Sequence, residues 1–302
     1  MPSNYCPLGA LPSRFRRARV LIVGCGDVGM RVAALLPAHV RVIALTSTPE
    51  KVKVLRERGI HPLLGDLDLR ASVQRLAGLA TRCVDLVPPP QSGLVDTRTR
   101  TLLRVLRTRN LPDSLVYGST SGVYGDCSGA LVAETHAVNA STPRARRRVD
   151  AEQQLRSAGR SGMRMSILRI PGIYAPDRPQ GTPRERLLQG TPVLLPEEDV
   201  YTSHIHAHDL ARACVAAIWR GHPQRVYNIA DASRLKMGDY MDIAADLYGL
   251  PRPARLSRAA IAEQVSALRL SFMNESRRLL NKRMREELRL VLRYPTVRQG
   301  LV

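Results

Sequence analysis

Three glycines in six positions, Gly24-Cys25-Gly26-Asp27-Val28-Gly29, stand directly after the apolar run Val20-Leu21-Ile22-Val23 and before a helix-like stretch. A helix that starts on such a turn leaves its first N–H groups unpaired and its dipole aimed at the turn, and the two together bind an anion. Gly24 suits the tight turn, Gly26 lets the backbone approach a pyrophosphate, and Gly29 lets helix pack on strand, while Asp27 and Val28 open the helix. The spacing, in this context, predicts a dinucleotide site.

The end of the following strand selects the dinucleotide. A carboxylate there bonds a ribose 2′-hydroxyl and repels a 2′-phosphate. This chain has Thr46, Ser47 and Thr48, with Lys51 in the next helix. Hydroxyls beside a cation favour NADP, and Glu50 close by keeps NAD open. Thr48 followed by Pro49 also reads as a helix start. Asp66, followed by Leu67, either accepts from an adenine amino group or caps the next helix. Pro88-Pro89-Pro90 removes three backbone donors in a row, and Pro88 starts a stiff wall for a cleft at the sheet's carboxyl edge.

These residues need a scaffold that brings strand ends together. Short apolar runs over 20–23, 40–46, 61–64, 83–87, 114–118 and 165–169 alternate with helix-period stretches over 28–36, 49–58, 69–79, 96–108 and 146–157. That is the pattern of an α/β fold, a Rossmann doubly wound parallel sheet. After residue 169 prolines and glycines punctuate the chain, helices are predicted near 208–219 and 237–248, a strand over 225–230, and an arginine-rich helix over 274–287. The expected organisation is a loose extension over 1–17, a dinucleotide-binding domain over 18–172, and a smaller substrate region over 173–302 partly interleaved with it.

Length and composition narrow the class. With 302 residues and 44% hydrophobic content the chain can bury a large core. Five scattered cysteines without a C-x-x-C pair argue against a disulfide framework or a zinc site, and no apolar run has membrane-spanning or signal-peptide length, so a cytoplasmic protein is expected. The formal charge of +20 comes from 46 basic residues, of which Lys51, Lys53, Lys236 and Lys282 are the lysines; the arginines are spread over the whole chain. Clusters at 144–148 and 277–289 are dense, but two Phe and one Trp offer little to stack bases on, so nucleic acid is not the expected partner.

Further motifs follow in order: Gly65-Asp66, Thr120-Ser121-Gly122-Val123-Tyr124-Gly125, Glu134-Thr135, Leu168-Arg169-Ile170, the run from His204 to Ala211, and Tyr227-Asn228-Ile229. As a set, with the glycine turn, they resemble the extended short-chain dehydrogenase/reductase superfamily, also called the NAD(P)-dependent epimerase/dehydratase family, in its sugar-nucleotide epimerase-like branch. The resemblance implies a Ser/Thr that bonds the substrate oxygen, a tyrosine that shuttles the proton, and a lysine four residues on that lowers the tyrosine pKa. Thr120 matches the first. Aligning the helix on Glu152 puts Arg144 at the tyrosine position and Arg148 at the lysine position. Arg148 still offers charge to a cofactor ribose, but Arg144 cannot take a proton at neutral pH.

A proton shuttle must then come from elsewhere, and Tyr124, Tyr174, His204 and His206 are the candidates. His204 and His206 share one face of a strand, where a structural pair is the other reading and a metal site is not expected. Arg184, Arg186 and His204 resemble the family's substrate-holding positions, and the family pairs subunits through helices equivalent to 96–108 and 146–157, so a homodimer is implied. Two functions stay open: an atypical oxidoreductase or epimerase on a small or nucleotide-linked polar substrate, and a non-catalytic NAD(P)-binding sensor or scaffold.

Overall fold

Each apolar run from residue 20 to 169 becomes a strand, buried on both faces in the middle of the sheet and half exposed in the edge run at 61–64. In the computed structural model, which describes residues 18–302, these are β1 (Arg19–Val23), β2 (Arg41–Thr46), β3 (His61–Leu64), β4 (Arg82–Asp85), β5 (Ser114–Thr120) and β6 (Arg164–Ile170). With β7 (Arg225–Asn228) they form one seven-stranded sheet in the order β7-β6-β5-β4-β1-β2-β3, every neighbouring pair parallel. The predicted extension over 1–17 lies outside the described residues.

Side chains alternate along each strand, so one sheet feeds two cores. On one face α1 (Asp27–Leu35), α2 (Lys51–Glu57) and α5 (Ala207–Arg220) bring Val32, Leu55, Leu210 and Cys214 onto Val20, Ile22, Ala44 and Leu168. On the other, α3 (Thr97–Leu106) and α4 (Pro143–Gly159) bring Leu102, Leu106, Ala151 and Leu155 onto Leu21, Val23, Cys83 and Ile167. Strand order reverses between β1 and β4, which opens a crevice at their carboxyl ends. No helix among the described residues is long and apolar enough to cross a membrane.

Beyond β6 the chain builds a third core from Tyr174, Leu187, Val193 and Val297 against Tyr240 and Met241 of α6 (Met237–Tyr248). It is not a separate run of sequence, because β7 and α5 return from it to the main sheet. The short strand His204–His206 pairs in parallel with Gly172–Tyr174 and ties the two layers together at the carboxyl edge.

Four predicted elements differ from those observed, each for a local reason. The helix expected over 69–79 is one turn, Arg70–Val73, and a 3-10 turn, Gln74–Leu76. The Ser72 hydroxyl donates to the Asp66 and Leu69 carbonyls and accepts the Asp66 N–H, and so competes with helical pairing. The helix expected from 146 begins at Pro143, because Thr142 accepts the Ala145 N–H and the proline fits the first turn. At Thr48-Pro49 the same residue pair does not cap: α2 starts at Lys51, and the Thr48 N–H is held by the Thr46 hydroxyl. The arginine-rich helix over 274–287 is instead the strand Arg278–Leu279 and the short helix Lys282–Glu286, since the Arg277 and Arg278 N–H groups pair with the Tyr201 and Ala130 carbonyls.

Candidate functional site

At the β1–α1 turn each glycine occupies a different environment. Gly24 has φ +82, and a Cβ there would lie 2.9 Å from the Val87 backbone nitrogen. A Cβ on Gly29 would come within 3.0 Å of the Gly24 carbonyl and 3.2 Å of Ile22. Around Gly26 a Cβ would meet nothing within 4 Å. Gly24 and Gly29 are therefore required by the fold, whereas Gly26 leaves an open cradle before the first N–H groups of α1. That is the space a pyrophosphate fills when it lies on a helix N-terminus. Asp27 is held at the side by Arg31 at 3.0 Å, and Val28 is partly buried in the core.

The end of β2, where a dinucleotide's 2′-ribose would lie, is marked less directly. Thr46 is buried, and its hydroxyl accepts the Thr48 N–H at 3.2 Å, so it shapes the turn. Ser47 and Lys51 are exposed beside it, as is Glu50. Asp66 accepts the Asp68 N–H at 2.9 Å and so stabilises its own turn, while Leu67 is buried in the sheet core. Pro88 is exposed and Pro89 buried at the end of β4, next to the strand that Gly24 touches.

A cleft of about 850 Å³ opens at the carboxyl edge of the sheet, between the Rossmann layer and the third core. Thr120, Arg144, Arg148 and Pro88 line one side, and Arg186, His204 and Tyr240 the other. Arg184 is exposed on the helix Arg184–Leu188 and does not line it. The cleft therefore joins Thr120, Arg148, Pro88 and His204 but not Arg184. Glu275 and Arg277, from the stretch read as a helix, and Phe272 just before it also line the cleft, and nothing in the sequence placed them beside Thr120.

Thr120 ends β5, and its hydroxyl accepts the Gly122 N–H at 3.2 Å. The Arg148 guanidinium donates to the Tyr117 hydroxyl at 2.8 Å and to the Val87 carbonyl at 3.2 Å. Arg148 thus ties α4 to β5 and to the loop that carries Pro88. Below it Asp85 is buried, and that burial pushes its carboxyl up to about 7. Tyr124 lies apart from the cleft lining: it is 1% exposed, it donates to Asn228 Oδ1 at 2.7 Å, and burial raises its pKa further. A phenol committed in this way is poorly placed to meet a substrate. Next to it Glu152 accepts from Ser119 at 2.7 Å and from both Nε and Nη2 of Arg169.

His204 and His206 are both buried, each ring against aromatic neighbours. His204 stacks on Tyr240 with ring centroids 4.2 Å apart, and His206 lies 3.8 Å from the Tyr294 ring. His206 Nδ1 accepts the His208 N–H, which caps α5. Burial, helped by Arg186, lowers the His204 pKa to about 3, and burial lowers that of His206 to about 4. Above the unfolded value near 6.5 both rings are neutral in either state, so they affect the pH dependence only in acid. As pH falls below 6.5 the unfolded chain binds protons that the folded chain refuses, and stability drops until the folded values are reached. For His204 the loss by pH 4.5 is about 3 kcal/mol at 1.36 kcal/mol per pH unit. Urea midpoints at pH 7 and pH 4.5 should show that loss reduced in His204→Phe, which keeps a ring on Tyr240. An equal loss in both proteins would refute the assignment.

Comparison with known proteins agrees with this fold. Residues 97–230 match the model of the NAD dependent epimerase/dehydratase family, and residues 20–82 match that of the TrkA-N domain. No curated protein matches the chain in sequence. A solved protein of unknown function from Silicibacter pomeroyi is 28% identical with a TM-score of 0.76, and the match covers 94% of this chain and 96% of that one. UDP-glucose 4-epimerase from Thermotoga maritima, solved with UDP-glucose, is 18% identical with a TM-score of 0.76, over 94% and 96% of the two chains. dTDP-glucose 4,6-dehydratase from Bacillus anthracis, solved with NAD, is 15% identical with a TM-score of 0.75, over 94% of each. By its sheet order the chain has the α/β Rossmann-like fold of these solved structures, and its residues 97–230 match the NAD dependent epimerase/dehydratase family.

Proposed function

We propose that this chain binds a nicotinamide dinucleotide at the Gly24–Gly29 turn, preferring NADP, and acts as an atypical oxidoreductase or epimerase on a nucleotide-linked sugar or a similarly polar small molecule. The observation that carries this is the open cradle at Gly26, beside a cleft into which Thr120 faces. Gly24, Gly26 and Gly29 with the N–H groups of Asp27 and Val28 hold the pyrophosphate, Thr46 shapes the turn that presents Ser47, and Asp66, Leu67 and Pro88 border the adenosine and nicotinamide ends. The cofactor supplies a hydride acceptor and donor. Thr120 hydrogen-bonds the substrate oxygen, Arg148 holds the loop over the ribose, and His204 borders the substrate. A phenol–lysine relay has no counterpart in Arg144 and Arg148, and His204 at neutral pH is an uncharged ring.

The cofactor preference is checked at Ser47. Ser47→Glu places a carboxylate where it repels a 2′-phosphate and accepts from a 2′-hydroxyl. NADPH affinity should fall at least tenfold while NADH affinity holds or rises; a parallel change in both would count against the placement.

A second reading, a cofactor sensor without turnover, is favoured by the inward pairing of Arg148 with Tyr117 and Val87. Titration with NADPH and NADH, followed by turnover assays with UDP-glucose and a panel of carbonyl compounds, separates the two. Turnover that Thr120→Ala abolishes supports the enzyme. Binding without turnover, unchanged in Thr120→Ala, supports the sensor, and absence of dinucleotide binding overturns both.

A further inference from the structure

The cleft is unbalanced in charge. Arg144, Arg148, Arg178, Arg186 and Arg277 line it, and Glu275 is the one carboxylate among its lining residues. The cations fall at two ends. Arg186 stands near His204 and Tyr240 in the third core, and Arg178 lies 3.7 Å from Asp27 beside the glycine turn. Arg144, Arg148 and Arg277 gather at the other end, around Thr120, Ser121 and Gly122.

At that second end two of the three arginines are already engaged. Arg148 uses Nη1 on Val87 and Tyr117, and Arg277 uses Nη1 on the Gly125 carbonyl and Glu275, each at 2.8 Å. Arg144 has no ion pair among the described residues. Its guanidinium lies 4.5 Å over the Phe272 ring, which holds the planar group while leaving its N–H fork available. Arg144 is exposed at the cleft, but partial desolvation and the neighbouring Arg148, Arg147 and Arg277 disfavour its charge, with Glu275 opposing them. An anion entering there would relieve the crowding and take the fork in a bidentate pair.

Resting on the function proposed above, we propose that the substrate carries a second anionic group, a carboxylate on its sugar-like part, which Arg144 and Arg277 bind beside Thr120. The diphosphate of a nucleotide carrier accounts for cations at one end of the cleft. A neutral hexose would leave the Arg144 fork at the reaction end facing water. The replacement of a proton-shuttling phenol by an arginine thereby becomes a change in what is recognised.

The test compares UDP-glucuronic acid with UDP-glucose by calorimetry at fixed ionic strength with saturating NADPH, and free glucuronate with free glucose by thermal shift. The expected result is at least tenfold tighter binding of UDP-glucuronic acid, an advantage lost in Arg144→Gln and Arg277→Gln and kept in Arg146→Gln, an exposed neighbour outside the cleft. Equal affinity for the two sugar nucleotides overturns the proposal while leaving the sugar-nucleotide function standing. Failure of both sugar nucleotides to bind, with stabilisation by free glucuronate that needs Arg144, overturns that function and supports the carboxylate site. No response to any of the four compounds overturns both.

Discussion

Gly26→Val should lose dinucleotide binding by about a hundredfold or more and keep the fold's stability to within about 0.5 kcal/mol. The two halves of that result come from one observation. A Cβ at Gly26 meets no protein atom within 4 Å, and its φ of −85 is ordinary for any residue, so the protein itself has no need of glycine here. The proposed occupant of the cradle does, because valine would stand where a bound pyrophosphate would approach the first N–H groups of α1. Gly24→Ala should behave in the opposite sense. Its φ of +82 and its 2.9 Å approach to the Val87 nitrogen make any side chain strained, and a loss of about 2–3 kcal/mol is expected. Urea unfolding and NADPH titration of both variants make the comparison. Undiminished affinity in a folded Gly26→Val protein would remove the cofactor site from this turn.

The Rossmann layer was legible because parallel strands buried on both faces are nearly uniform apolar runs, and because a pyrophosphate turn needs its glycines at fixed offsets. Val20 to Gly29 carries both signals in ten residues. The cleft was less legible, since it is made by pairings distant in sequence. Arg278 lies against Leu131, and Arg277 reaches the Gly125 carbonyl, so a stretch with helical periodicity supplies a strand and one wall of the site. Tyr124 was misleading for a related reason. It sits in a motif that leads away from Thr120, but its hydroxyl is claimed by Asn228 on β7, a hundred residues on. Periodicity reports which face of an element is apolar; it does not report which polar atom from another element will meet it.

Those buried polar atoms set the second large effect, at Arg169. Its guanidinium pairs with Glu152 at 2.7 Å with both side chains under 5% exposed, and it lies over the Tyr124 ring at 4.6 Å. Burial alone would disfavour its charge, but the pairing with Glu152 more than offsets that and raises its pKa. Arg169→Met leaves a carboxylate in a dry site with the Ser119 hydroxyl as its remaining side-chain partner, and a loss of about 3–5 kcal/mol is expected, roughly 10 °C in Tm. Removing both charges in Glu152→Leu with Arg169→Met should recover much of it, because the cost lies in the unpaired ion more than in the missing bond. Ser119 immediately precedes Thr120, so the single variant should also weaken any response that depends on Thr120, and the double variant should not restore it. Thermal unfolding of the two variants decides the point. A single variant within about 1 kcal/mol of wild type would show that Glu152 finds water or its proton without difficulty, and that the pair does not hold the end of β5 in place.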